Sequence, residues 1–132
     1  MAERKFKILV IDDEPDICAL LKDSLPQMGN FKVIVGKGGK IGAWLALCRW
    51  HRPDVVILDI MMPGVDGFEV LRRIRKNKET TYMPVIILTG RQDYVTKIKA
   101  EGLYCDDYLV KPISLDVLKS HIEEVLKKRG II

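Results

Sequence analysis

Five short apolar runs, each followed by a stretch with helical spacing, constrain the fold of this chain more than any other feature. Three of them are nearly continuous in Val, Ile and Leu: Phe6–Ile11, Val55–Leu58 and Val85–Leu88. Runs that are apolar on both faces are typical of strands in a parallel sheet covered by helices on both sides. The weaker runs Phe31–Val35 and Tyr108–Val110 predict edge strands.

The stretches between these runs have apolar residues at the spacing of amphipathic helices. Pro15 suits the first turn of the first helix, and Pro26 is expected to end or kink it. Ser114 can cap the last helix through its side-chain oxygen. The predicted helices span Pro15 to about Leu25, Ile41–Trp50, Asp66–Lys76, Asp93–Glu101 and Ser114–Lys128.

A strand followed by a helix, five times over, predicts a doubly wound α/β fold with right-handed crossovers. Five strands fit a flavodoxin-like parallel sheet with strand order 2-1-3-4-5 and five helices. A length of 132 residues suits one domain. We therefore expect residues 1–132 to form a single domain with its core between about residues 6 and 128.

Charge and cysteine content exclude several classes of protein. The net charge of +4 is modest, and the basic run Arg72–Lys78 has no interleaved aromatic residues, which favours an exposed face over a nucleic-acid site. Cys18, Cys48 and Cys105 form no C-x-x-C pair, which predicts reduced thiols in a cytoplasmic protein. Because no apolar run reaches ~18 residues, no membrane span is expected.

The predicted second helix, Ile41–Trp50, is apolar on both faces. A helix on the surface of a sheet is normally polar on its outer face. Either the glycine-rich loop Gly36–Lys40 folds over that face, or the face is a patch that binds a partner. The sequence leaves both interpretations open.

Chemistry-bearing residues follow the predicted strands. Asp12 and Asp13 follow the first strand, Asp59 the third, Thr89 the fourth and Lys111 the fifth. Ligands of open α/β sheets bind at the carboxyl ends of the strands, so these side chains should converge. Each alone has a structural explanation, such as a helix cap or a turn, but their coincidence at four strand ends favours a site.

The expected charge balance of that site points to a metal and a phosphoryl group. Three adjacent carboxylates repel one another, and an all-oxygen ligand set with room for water favours Mg²⁺. The metal, the ammonium of Lys111 and the hydroxyl of Thr89 would together bind phosphoryl oxygens. Asp59 is the best candidate nucleophile, forming an acyl phosphate, because it ends the central buried run.

The motifs IDDEPD, VVILDIMMPGVDGFEVL, PVIILTG and DDYLVKP, in this order, strongly resemble the receiver domain of two-component response regulators. The resemblance extends from about Phe6 to Lys128, and the combination of motifs is specific. It implies a non-enzymatic signalling domain that assists its own phosphorylation and dephosphorylation. It also implies two partners, a histidine kinase or phosphotransfer protein upstream and an effector protein or domain downstream.

The resemblance also implies a role for each site residue. Asp59 is similar to the phosphoacceptor. Asp12 and Asp13 are similar to the acidic pair that holds Mg²⁺ together with Asp59, with the Met61 backbone carbonyl contributing. These assignments make Mg²⁺ the expected cofactor.

Further roles implied by the resemblance concern switching. Thr89 is similar to the switch hydroxyl, and Lys111 to the lysine that pairs with the phosphoryl group. Lys111–Pro112 is expected to be a cis peptide bond. Tyr108 is similar to the aromatic switch residue, so the surface around the last two helices is expected to change shape on phosphorylation, and a dimer could form.

Some positions depart from the pattern that the resemblance leads us to expect. Tyr104 and Cys105 stand where a Gly-Ala pair is usual, and the Gly36–Lys40 loop is about two residues longer than usual. Arg91 lies two residues after Thr89, near the expected site, where it could influence the lifetime of the phosphoryl group.

Four alternative functions remain open at this point. An aspartyl phosphatase of the haloacid-dehalogenase kind needs an acid/base Asp two residues after its nucleophile, where this chain has Met61. A nucleic-acid-binding module would have to use Arg72–Lys78 without a supporting motif. The others are a receiver-like module that binds partners without phosphorylation and a receiver fragment of a larger hybrid kinase or regulator.

Overall fold

The computed structural model describes residues 4–37, 52–64 and 66–132. All five predicted strands form. Two of them run one residue further than their apolar cores, so that Asp12 and Thr89 are the last residues of their strands. The strands are β1 (Phe6–Asp12), β2 (Phe31–Lys37), β3 (Val55–Leu58), β4 (Val85–Thr89) and β5 (Asp107–Val110).

The described residues contain four helices rather than the predicted five. The predicted helix Ile41–Trp50, the interpretation of its apolar outer face, and Cys48 all lie outside the described residues. The four helices are α1 (Pro15–Met28), α2 (Gly67–Lys76), α3 (Tyr94–Ala100) and α4 (Leu115–Lys128).

The strands pair in parallel in the order β2-β1-β3-β4-β5, which confirms the predicted flavodoxin-like order 2-1-3-4-5. β2 and β5 are the two outermost strands of the sheet, as predicted from their weaker apolar patterns. The central strands β3 and β4 are buried along their whole length. The carboxyl ends of β1, β3, β4 and β5 therefore meet along one edge of the sheet.

Successive residues of β1 enter opposite cores, because side chains alternate across a strand. Ile8 and Val10 pack in a cluster with the apolar faces of α1 and α4. Leu9 and Ile11 pack in a second cluster with α2 and α3. Burying each of these side chains contributes about 1.5–3 kcal/mol, so both clusters hold β1 in register.

Two predictions about boundaries are wrong. Pro26 does not end α1, which continues to Met28, while a kink at this residue stays a prediction. Pro26 lies in the last turn, where its missing N–H removes one hydrogen bond, while the fully buried Leu25 keeps this turn on the core. In the expected loop Gly36–Lys40, the first two residues belong to β2, because they pair with Ile11 and Asp12, and residues 38–40 lie outside the described residues.

Helix starts follow their capping residues. The Asp66 side chain accepts a hydrogen bond from the Phe68 backbone N–H at 2.9 Å, so Asp66 caps α2 instead of forming its first residue. The Ser114 side chain accepts from the Val117 N–H at 3.2 Å and caps α4, as predicted. Each cap satisfies a backbone donor that the helix leaves without a partner.

Candidate functional site

The predicted site residues converge at the carboxyl edge of the sheet. Asp12, Asp59 and Thr89 are 2%, 3% and 0% exposed, and they end or follow three neighbouring strands. Lys111 follows β5, and its backbone N–H donates to the Thr89 carbonyl oxygen at 2.8 Å. The topology thus places three buried polar groups and one ammonium together, as the strand-end argument predicted.

Lys111 connects the carboxylates of this edge. Its Nζ lies 2.9 Å from Asp12 Oδ2, 3.0 Å from Glu14 Oε1 and 3.5 Å from Asp59 Oδ2. Burial by itself lowers the pKa of the Lys111 ammonium, but the bonds to Asp12 and Glu14 more than offset this and raise the pKa above its ordinary value. The side chain therefore remains a cation across the physiological pH range.

Hydrogen bonds hold both the backbone and the side chain of Asp59. Its backbone N–H donates to the Ile11 carbonyl oxygen at 2.9 Å, and its Oδ1 accepts from the Met61 N–H at 3.1 Å. Burial and the charge of Asp12 raise the pKa of Asp59, and these influences outweigh the opposing charge of Lys111. The ionised form is thus destabilised by its surroundings, and additional positive charge would stabilise it.

The Thr89 hydroxyl is buried and has no hydrogen-bond partner among the described residues. It also lowers the pKa of Asp59, less than Lys111 and the Met61 N–H do, although the structure shows no hydrogen bond of ordinary geometry between them. A buried hydroxyl without a partner costs free energy. A group that brought oxygen acceptors to Asp59 would provide this partner.

The carboxylates also fit a divalent cation. Among the described residues, oxygens of Asp12, Glu14 and Asp59 lie within 4.8 Å of one another, a donor set that hard cations prefer. The prediction from the sequence has Asp13 in place of Glu14. Asp13 is half-buried and lines the same groove as Asp59, so its role as a ligand stays a prediction, as does that of the Met61 carbonyl.

Two features of the site were missed in the sequence. Glu14 occupies the cap position of α1, but its side chain makes no capping bond and contacts Lys111 instead. Gly67 is the other. A Cβ there would lie 2.4 Å from the Asp59 carbonyl oxygen, so only glycine lets α2 approach the loop after β3. Its position beside the cap Asp66 was the available signal.

The residues predicted to switch lie next to the site. Tyr108 is partly buried, and its hydroxyl donates to the Arg91 backbone carbonyl. Burial and the charge of Asp93 raise the Tyr108 pKa to about 12, so the phenol stays protonated and able to donate. The Arg91 guanidinium forms a two-point ion pair with Asp93 at 2.9 and 2.6 Å. The Arg91 side chain is thus held to its own loop, and its backbone carbonyl is bonded to β5.

Several other sequence expectations concern residues around the site. Lys111–Pro112 is a cis peptide bond, as expected. Cys18 and Cys105 are free thiols whose pKa values burial raises.

No helix in the described ranges is long and apolar enough to cross a membrane.

The chain is similar to known proteins over most of its length. The family model of the response regulator receiver domain matches residues 8–123. The transcriptional regulatory protein AfsQ1 of Streptomyces coelicolor is 40% identical over 121 residues, which cover 92% of this chain and 51% of that protein. The protein PilH of Pseudomonas aeruginosa is 37% identical over 120 residues, covering 91% of this chain and 97% of PilH.

Solved structures show the same likeness. A response regulator, TrrA of Thermotoga maritima, in complex with Mg²⁺ and BeF, is 34% identical with a TM-score of 0.77, covering 92% of this chain and 99% of that one. A receiver domain protein of Clostridium thermocellum is also 34% identical, with a TM-score of 0.80 and coverage of 96% and 98%.

The chain belongs to the response regulator receiver domain family of two-component signalling. Within that family it spans about half the length of regulators such as AfsQ1 and nearly all of PilH. Magnesium and a phosphoaspartate are consistent with the family and with the acidic pocket.

Replacing Asp59 by Asn is expected to raise the free energy of unfolding at pH 7 and to change it little near pH 3. A carboxyl group whose pKa is higher in the folded than in the unfolded state destabilises the fold once it is ionised. The free energy of unfolding therefore falls as the pH rises from the unfolded pKa of ~3.9 through the folded pKa. Urea denaturation across this range measures the difference. The exposed Asp16→Asn variant is the control, and a difference that grows in acid would contradict the argument.

Proposed function

We propose that this chain accepts a phosphoryl group on Asp59, with Mg²⁺ as cofactor, and then changes its surface around α3, β5 and α4 to control a partner. The observation that supports this most directly is the buried Asp59 carboxyl, which faces a lysine and a threonine hydroxyl without a hydrogen-bond partner in the described part of the chain. Those two groups can receive the oxygens of a phosphoryl group. The donor would be a histidine kinase or a phosphotransfer protein.

In that reaction an Asp59 carboxylate oxygen bonds to phosphorus while the bond between phosphorus and the donor's histidine nitrogen breaks. The nitrogen keeps the electron pair, and the product is an acyl phosphate. Asp12 and Asp59, with Asp13 and the Met61 carbonyl, are the proposed ligands of Mg²⁺. When bound, the ion supplies positive charge that reduces the repulsion between these carboxylates and the phosphoryl oxygens.

The proposed switch uses the loop after β4. A phosphoryl group on Asp59 would attract the Thr89 hydroxyl, and Thr89 ends the strand that leads into this loop. The Arg91 carbonyl in the loop accepts a hydrogen bond from the Tyr108 hydroxyl on β5. A shift of the loop would move this acceptor, and the tyrosine ring would have to move with it or lose the bond. The new charge would thus bias a two-state element on the α3–β5 side.

The partners of this chain are proposed to be proteins rather than nucleic acids or membranes. In the basic run, Arg72 and Arg73 pair with Glu69, and Arg72 also pairs with Glu101. Arg75 is partly buried and donates to backbone carbonyls. Much of the run is therefore occupied within the domain.

We propose that the chain works in the cytoplasm as a single domain, with a dimer that forms on phosphorylation as one route to output.

Lys111→Ala is expected to retain phosphorylation at Asp59 but to lose the conformational change. The phosphoacceptor is still present, whereas the cation that draws the phosphoryl group toward β5 is not. Nuclear magnetic resonance shifts of the Thr89 and Tyr108 amides, with and without a small phosphodonor, measure the change. The control is Lys22→Ala, exposed on α1. Shifts in Lys111→Ala that match the wild type would refute this role of Lys111.

A receiver-like module that binds partners without phosphorylation is the second candidate, and it would show no conformational response to the phosphodonor in either protein. A receiver acting as part of a longer regulator remains a further candidate, and the relatives of about twice this length favour it.

A further inference from the structure

We infer that Glu14 is a positioning residue, which holds the Lys111 ammonium back from Asp59 and so keeps the Asp59 carboxylate available to a divalent cation. The inference rests on the proposed function, because it concerns the same site. It assigns to Glu14 an action on Lys111, distinct from direct binding of the metal.

The contacts of Glu14 differ from those of the other two carboxylates. The side chains of Asp12 and Asp59 are each only 3% exposed, whereas that of Glu14 is 55% exposed. Glu14 occupies the cap position of α1 without capping it, and among the described residues its side chain bonds to Lys111 alone, at 3.0 Å. The helix start thus carries a carboxylate directed at the lysine.

An ammonium has three N–H donors, and the distances show how Lys111 shares them. The contacts with Asp12 and Glu14, at 2.9 and 3.0 Å, are of ordinary length for charged hydrogen bonds. The contact with Asp59, at 3.5 Å, is long. The ammonium therefore lies nearer to Asp12 and Glu14 than to Asp59, and Glu14 engages one of its donors at close range.

Without the Glu14 carboxylate, the ammonium would be expected to move toward Asp59 and shorten that contact. A tighter ion pair would neutralise the Asp59 carboxylate and compete with a divalent cation for its oxygens. Loss of Glu14 should thus weaken Mg²⁺ binding through Lys111. Because Glu14 is more than half exposed, the effect should be that of a solvent-exposed ion pair.

The test is a set of Mg²⁺ dissociation constants measured by isothermal titration calorimetry on the full chain without a phosphodonor. Glu14→Gln is expected to weaken Mg²⁺ binding by about three- to fivefold, the range of an exposed ion pair. The same substitution in a Lys111→Met background is expected to have almost no effect. Lys111→Gln provides a second background if Lys111→Met fails to fold.

Two carboxylate variants serve as controls. Asp16→Asn removes an exposed charge from the same helix start and should leave Mg²⁺ binding unchanged. Asp13→Asn, at the predicted metal ligand, should weaken binding equally in both backgrounds. If Glu14→Gln weakened Mg²⁺ binding equally with and without Lys111, Glu14 would act directly on the cation, and the inference would be overturned. Unchanged Mg²⁺ binding by Glu14→Gln with Lys111 present would also overturn it. A failure of phosphorylation at Asp59 would count against the proposed function and leave these binding constants interpretable.

Discussion

Asp59→Asn is expected to abolish phosphorylation of this chain by a small phosphodonor in the presence of Mg²⁺. The amide has the size of the carboxyl group but not its nucleophilic charge, and no other acidic group combines its burial with contacts to Lys111 and the Met61 N–H among the described residues. The loss should be complete, because the covalent bond itself can no longer form. Intact-mass spectrometry would show one added phosphoryl group on the wild type and none on the variant.

The control for this experiment is Asp16→Asn, which removes an exposed carboxylate from the start of α1. It should accept one phosphoryl group as the wild type does, and that group should be released in base, as an acyl phosphate is. Full phosphorylation of Asp59→Asn would show that the acceptor is a different residue. Because Asp59→Asn is expected to be at least as stable as the wild type at pH 7, unfolding would not account for a loss of phosphorylation.

Removal of Mg²⁺ by a chelator is expected to reduce phosphorylation by about two orders of magnitude or more, comparable to the loss of a strong electrostatic stabiliser from an active site. Asp12, Glu14 and Asp59 face a single ammonium, so the site already carries an excess of negative charge. An incoming phosphoryl group adds to this excess. The initial rate of phosphorylation, with and without chelator, measures the effect.

Restoring Mg²⁺ in excess of the chelator should restore the rate, which separates loss of the ion from damage to the protein. Asp12→Asn should reproduce much of the chelator effect at ordinary Mg²⁺ concentrations, because Asp12 is a buried member of the carboxylate cluster that fits a divalent cation. Phosphorylation that continues at an unchanged rate in chelator would contradict the assignment of these carboxylates to a metal.

The residues at the carboxyl ends of the strands could be predicted from the sequence, because each strand is recognised from a short run of neighbouring apolar residues. Once Val55–Leu58 and Val85–Leu88 are identified as buried parallel strands, Asp59 and Thr89 must emerge at the same edge, since parallel strands point the same way. The distances between the side chains, and their burial, did not follow from that pattern. They depend on how the strands pair and on which loops cover them.

Predictions at element boundaries were less accurate for a related reason. Pro26 carries a strong local signal for a helix end, but burial of Leu25 against the core outweighs the loss of one hydrogen bond in the last turn. Gly36 carries a signal for a loop, yet pairing with β1 extends β2 beyond it. In both places a tertiary contact outweighs a local preference.

By itself, the sequence determined the strands, the edge at which the chemistry lies and the family to which the chain belongs, because strand patterns and motifs are written in neighbouring residues. Only the tertiary structure decided that Glu14 shares Lys111 with Asp12, a contact across 97 positions of the chain. It alone also showed that Gly67 must lack a side chain beneath the loop of Asp59. Such contacts arise when separate elements pack together, so no local pattern of residues encodes them.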